Sequence, residues 1–140
     1  MSIPGDTFVP ETGSTVFRTD TTGGVALQAD ASPFMHAPVN LPDGAVINSI
    51  QLYYYDNLDP GYIEARLARN NDPNIGTRAF LVKPQSPSGV APGSHYSSTS
   101  VTLPTAEVVN NSRYNYGIEV YWSTSSPDLR LMGIVIVYGE

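Results

Sequence analysis

The sequence predicts an all-β chain, an antiparallel β-sandwich of jelly-roll-like form with about eight to ten short strands, and three observations carry that expectation. Twelve glycines and twelve prolines in 140 residues punctuate the chain too often for helices of ordinary length. Apolar and polar residues alternate at period two in the segments between them, as in strands with one buried face. Turn residues recur at regular spacing between these runs, the pattern of a sandwich or jelly roll. The length suits one domain, read as residues 1–140, with 1–24 as an amino-terminal arm that packs in cis or on a neighbour.

The first strands are short: Val16 to Thr19, Val25 to Ala29 and Met35 to Leu41, each ending in turn chemistry. Pro42-Asp43-Gly44 then makes a tight turn into Ala45 to Asp56, where Val46, Ile50, Leu52 and Tyr54 share one face and Ile47, Ser49, Gln51, Tyr53 and Tyr55 the other. Asp56 to Gly61 reads as a hairpin loop into Tyr62 to Arg69, whose Ile63, Ala65 and Leu67 alternate with Glu64, Arg66 and Ala68. Asn70 to Thr77 and Pro84 to Ser100 read as long surface loops, with strands at Arg78 to Lys83 and Ser98 to Leu103. Tyr114 to Trp122 alternates as a core strand. Leu129 to Tyr138 is apolar on both faces from Leu131 onward, which suits a central strand covered on both sides or one covered by another subunit.

Bulk composition narrows the partners. Seven Lys and Arg stand against thirteen Asp and Glu, a formal net charge of −6, and the scattered positives form no stripe for phosphates, so nucleic acid is not an expected ligand. The same deficit argues against anionic lipid, and no apolar run reaches the length of a membrane span, so no membrane insertion is expected. Without cysteine there is no disulfide, thiolate metal site or thiol nucleophile. The opening Met-Ser-Ile-Pro-Gly-Asp shows no leader, so location stays open, with the cell surface or exterior slightly favoured.

Leu41-Pro42-Asp43-Gly44-Ala45-Val46-Ile47, the tyrosine-rich strand ending Asp56-Asn57, Ala65-Arg66-Leu67, and Leu131-x-Gly133-x-x-Ile136-x-Tyr138 together resemble bacterial jelly-roll-like β-sandwich proteins of unassigned function. That resemblance implies a two-sheet fold, often found in exported or surface proteins, and carries over no catalytic residue. Within the chain, Leu41-Pro42, Val46-Ile47-Asn48 and Tyr54 echo 62 positions later as Leu103-Pro104, Val108-Val109-Asn110 and Tyr116. Common turn-and-strand composition explains this echo; two equivalent Greek-key halves are the alternative.

Chemistry-bearing residues are sparse. His36 and His95 lie in no recognisable nucleophile setting and read as edge or loop histidines. Glu64 and Glu119 are the pair that glycoside hydrolysis would need, but read as acids on a solvated strand face. Oxygen ligands for Ca²⁺ occur in two groups, Asp56, Asn57 and Asp59 in the turn, and Asn70, Asn71, Asp72 and Asn74 after the next strand. A low-weight Ca²⁺ site would use Asp43, Asn70 and Asp72; ordinary turn chemistry explains these residues as well, and no cofactor is expected. The most informative polar-face feature is aromatic. Tyr53, Tyr55 and Tyr121, with Tyr62, Glu64 and Arg66 close by, form a candidate ligand or interface patch that long loops could cover, a subunit could bury, or a sugar could stack upon.

The reading that follows is a non-catalytic structural or self-assembling protein, a homo-oligomer, coat or filament subunit. The alternative is a carbohydrate-binding or lectin-like domain using the tyrosine patch, and a small hydrolase comes third.

Overall fold

A computed structural model describes residues 1–12, 16–19, 22–29, 32–72 and 77–140. Among the described residues eleven strands form two antiparallel sheets: β1 (Ser2–Pro4), β2 (Val9–Pro10), β3 (Val16–Thr19), β4 (Val25–Ala29), β5 (Phe34–Val39), β6 (Val46–Asp56), β7 (Ile63–Asp72), β8 (Thr77–Val82), β9 (Tyr96–Val108), β10 (Asn115–Trp122) and β11 (Leu129–Gly139). The six-stranded sheet runs β3-β4-β11-β6-β9, with β1 also pairing β11; the five-stranded sheet runs β2-β5-β10-β7-β8. The expected jelly-roll-like sandwich is what forms. No helix among the described residues is long and apolar enough to cross a membrane.

Alternation builds most of the interior; Ile47, expected on the face opposite Ile50, joins the core because the register with β9 shifts between Ile47 and Ser49. Ile47, Ile50, Leu52, Leu129, Leu131, Ile134 and Ile136 of one sheet and Ile63, Ala65, Leu67, Ile118, Val120 and Trp122 of the other are buried in a common core. Each fully buried large aliphatic contributes about 1.5–3 kcal/mol relative to exposure. The Trp122 indole N–H donates to Leu129 O at 3.3 Å, and its ring lies 4.9 Å from that of Phe17. Residues 2–4 pair with β11 and residues 9–10 with β5, so the amino-terminal segment adds backbone to both sheets.

Several expectations are corrected. The first concerns the hairpin from β6 to β7: β6 pairs β11 and β9, whereas β7 pairs β10 and β8. Residues 56–62 instead carry the chain from one sheet to the other. Asp56 N donates to His95 O and Asp56 O accepts from Ala91 N; Asn57 N donates to Asp128 O and Gly61 N to Ser88 O. Loop backbone thus takes the bonds a hairpin partner would have taken, and the two apolar stripes face each other across the core.

β11 is central, since β6 holds one edge while β4 and β1 share the other; within this chain Val137 on its outer face is 42% exposed. The segment 84–100 read as loop contributes the start of β9, and Pro104 is accommodated because β9 is an edge strand. Asn70 to Asp72 extends β7 rather than forming a loop. The echo marks no repeated unit, since Leu41-Pro42 precedes β6 whereas Leu103-Pro104 lies within β9.

Candidate functional site

The structure divides the sequence-selected residues between two faces. Tyr53 and Tyr55 stand on the outside of the six-stranded sheet, whereas Glu64, Arg66 and Tyr121 stand on the outside of the five-stranded sheet with Tyr62 just before β7. They therefore do not make one patch.

On the six-stranded face, register decides which tyrosine is free. Tyr55 is flanked by Tyr96 on β9 and Arg130 on β11; its ring meets Tyr96 at 4.9 Å, and the Arg130 guanidinium lies 3.8 Å from its centroid. A cation over a ring face holds both in place. Tyr53 is flanked by Ser98 and Gly133, too small to cover it, and is 39% exposed; Tyr96 is 46% exposed. The bulge between Leu131 and Gly133 adds Met132 to the same surface. Tyr53, Tyr96, Ser97, Ser98 and Met132 consequently line a shallow groove of about 420 Å³. None of these side chains is charged. The Tyr53 hydroxyl donates to Gln51 Oε1 at 3.1 Å, which orients the ring. The sequence reading missed Tyr96 and Ser98. Their signal was present in the alternation of Tyr96, Ser98, Ser100 and Thr102 with Thr99, Val101 and Leu103, hidden by serine-rich composition.

On the five-stranded face, charge is arranged differently. Arg66 Nη1 donates to Glu119 Oε1 at 2.9 Å and its Nε to Glu64, while Arg78 Nη1 donates to Glu119 Oε2 at 2.8 Å. The Arg66 guanidinium also lies 5.3–5.7 Å from the ring centroids of Phe34, Phe80 and Tyr121. Burial pulls the Arg66 pKa down, but its bonds to Glu64 and Glu119 outweigh this and raise it. Glu64 and Glu119, read as solvated acids, are thus bound into an ion-pair network, and Glu119 is buried. Such carboxylates are not disposed as a free acid and a free base. His36, on β5, lies 3.8 Å from Glu11 and 4.0 Å from Glu119. His95 Nδ1 is 2.7 Å from Ala91 O.

Among the residues read as oxygen ligands for Ca²⁺, Asp56, Asp43 and Asn70 have partners within the chain. Asp56 is fully buried, accepting from Leu58 N and from Ser86 Oγ; burial raises its pKa above 3.8, opposed by those hydrogen bonds and by His95. Asp43 accepts from Asn111 N at 2.7 Å, and Asn70 Oδ1 faces Arg78 Nε at 3.4 Å. The side chains of Asn71 and Asp72, and the whole of Asn74, lie outside the described residues. Among the described residues, no three His, Asp or Glu side chains gather as a metal site.

No protein-family model matches this chain, and no curated protein matches it in sequence. Its fold does match solved structures. A family 6 carbohydrate-binding module, studied by dissection of its binding sub-sites, is similar with a TM-score of 0.61 and 8% identity over 99% of this chain and 94% of the module. The C-terminal CBM6 of LamC from Zobellia galactanivorans gives 0.59 and 16% identity over 96% and 95%. CBM6cm-2 of Cellvibrio mixtus lichenase 5A, in complex with cellotriose, gives 0.56 and 15% identity over 100% and 98%. Identities this low show a shared two-sheet architecture. The structural or self-assembling role expected from the sequence is corrected here, because the similar structures are carbohydrate-binding modules.

Proposed function

We propose that this chain is a carbohydrate-binding module that takes a neutral glycan along the Tyr53–Tyr96 groove. The observation that carries the reading is the pair of exposed tyrosines opening onto one uncharged groove lined also by Ser98. A sugar ring has an apolar C–H face and a rim of hydroxyls, so it matches a flat aromatic body bordered by hydroxyl groups. The resemblance in fold to carbohydrate-binding modules supports the same role. The Arg130–Tyr55 stack would act beneath the groove, holding the neighbouring Tyr96 ring in position.

Titration calorimetry with cellotriose and other neutral oligosaccharides tests the proposal. Tyr53→Ala and Tyr96→Ala should each weaken binding roughly tenfold, the equivalent of about 1.4 kcal/mol, while Tyr53→Phe should retain most of it. Binding unaffected by either alanine would remove the groove from consideration, and an absence of binding across a panel of neutral glycans would overturn the reading itself.

A further inference from the structure

The five-stranded face holds a second depression, built from a different chemistry. Pro38, Gly117 and Ala68 are register partners across β5, β10 and β7. Their small side chains leave a hollow of about 290 Å³, bordered by His36, Arg78 and Glu119.

The two arginines of this face differ. Arg66 is committed to two carboxylates and enclosed by three rings. Arg78 is 41% exposed, uses Nη1 for Glu119, and has only the long contact from Nε to Asn70. Among the described residues, its Nη2 makes no hydrogen bond. A guanidinium presents its donors as a planar fork that matches a carboxylate.

Charge limits the ligand further. At the hollow itself the Arg78 guanidinium is paired with the Glu119 carboxylate. A single carboxylate can be met by the unused side of Arg78. A doubly charged phosphate would set a second negative charge against Glu119 at the hollow's border, on a chain whose net charge is already −6.

We propose that Arg78 and the Pro38–Gly117–Ala68 hollow form a second site, which takes a compact ring bearing one carboxylate, such as a uronic acid unit. The site lies on the sheet opposite the Tyr53–Tyr96 groove. It extends the glycan-binding reading to acidic sugars but shares no residue with that groove, so either can fail alone.

Amide NMR titration of the whole chain with D-glucuronate, D-glucose, acetate and phosphate provides the test. Glucuronate should shift the Ala68 and Gly117 amides at millimolar concentrations and bind at least tenfold tighter than glucose, acetate or phosphate. Arg78→Ala should abolish the shifts, and Arg78→Lys, which keeps the charge but loses the fork, should weaken them about tenfold. Tyr53→Ala should leave them intact. Equal binding of glucose, a preference for phosphate, or shifts that persist in both Arg78 variants would overturn the assignment. Loss of neutral-glycan binding in Tyr53→Ala with glucuronate shifts retained would show the two sites to be separate.

Discussion

Replacing Ser86 by alanine probes the corner where the chain passes from β6 to β7. The Ser86 hydroxyl is buried, donates to Asp56 Oδ2 at 2.8 Å and accepts from Ile63 N at 3.0 Å. Its removal leaves a carboxylate oxygen and a backbone N–H without that partner. Each such buried group costs about 1–3 kcal/mol, and partial rehydration brings the expected total to about 3 kcal/mol at pH 7. For a chain of this size that is a fall in Tm of about 10 °C. The cost should also depend on pH. Burial raises the Asp56 pKa above 3.8, while Ser86 pulls it back. The folded state consequently holds this proton more tightly than the unfolded state. The stabilising contribution is fully present below pH 3.8 and is lost as pH rises through the raised value. Without Ser86 the pKa should rise further, so Ser86→Ala should cost more at pH 7 than at pH 3. Urea unfolding of the wild type, Ser86→Ala and Asp56→Asn at both values measures this, with Asp56→Asn removing the dependence across that window. A loss below 1 kcal/mol at pH 7, or the same loss at both values, would refute the reasoning.

Further predictions concern the Tyr116 phenol and the glycines at positions 5 and 89. Burial, reinforced by the bond to Glu107, pushes the Tyr116 phenol up to about 12; its proton is held more tightly in the fold, so stability should persist below pH 10 and fall by about 2–3 kcal/mol as pH rises through 12. In Glu107→Gln, which also loses the ion pair to Arg69, the Tyr116 pKa should drop measurably by NMR. Gly5→Ala would place a Cβ 2.6 Å from the Leu131 carbonyl oxygen, backbone that cannot swing aside, and should cost about 1–3 kcal/mol. Gly89→Ala, with open space around the added carbon, should change thermal stability by less than about 0.5 kcal/mol.

The candidate sites were only partly legible before the fold was known. Tyr53 and Tyr55 could be placed on an outward face because their strand alternates, but that pattern does not say what stands beside them. Ser98 and Gly133 leave Tyr53 open, whereas Tyr96 and Arg130 close over Tyr55. Likewise, Glu64 and Glu119 read as solvated acids until β7 and β10 pair and set Glu119 against Arg66, which Glu64 on the same strand also meets. Arg78 gained significance only where register set it beside a row of small residues.

Period-two alternation and turn chemistry by themselves determined an all-β sandwich, the position of strands such as Val25–Ala29, and the inward set Ile50, Leu52, Ile118 and Trp122. These are local properties, written in which side of a strand is apolar. Tertiary structure alone decided that β6 and β7 belong to opposite sheets, because two apolar stripes read the same whether strands lie side by side or face to face. It also decided the separation of the tyrosine groove from the arginine hollow, since both depend on neighbours far apart in the chain and on a register that no single strand encodes.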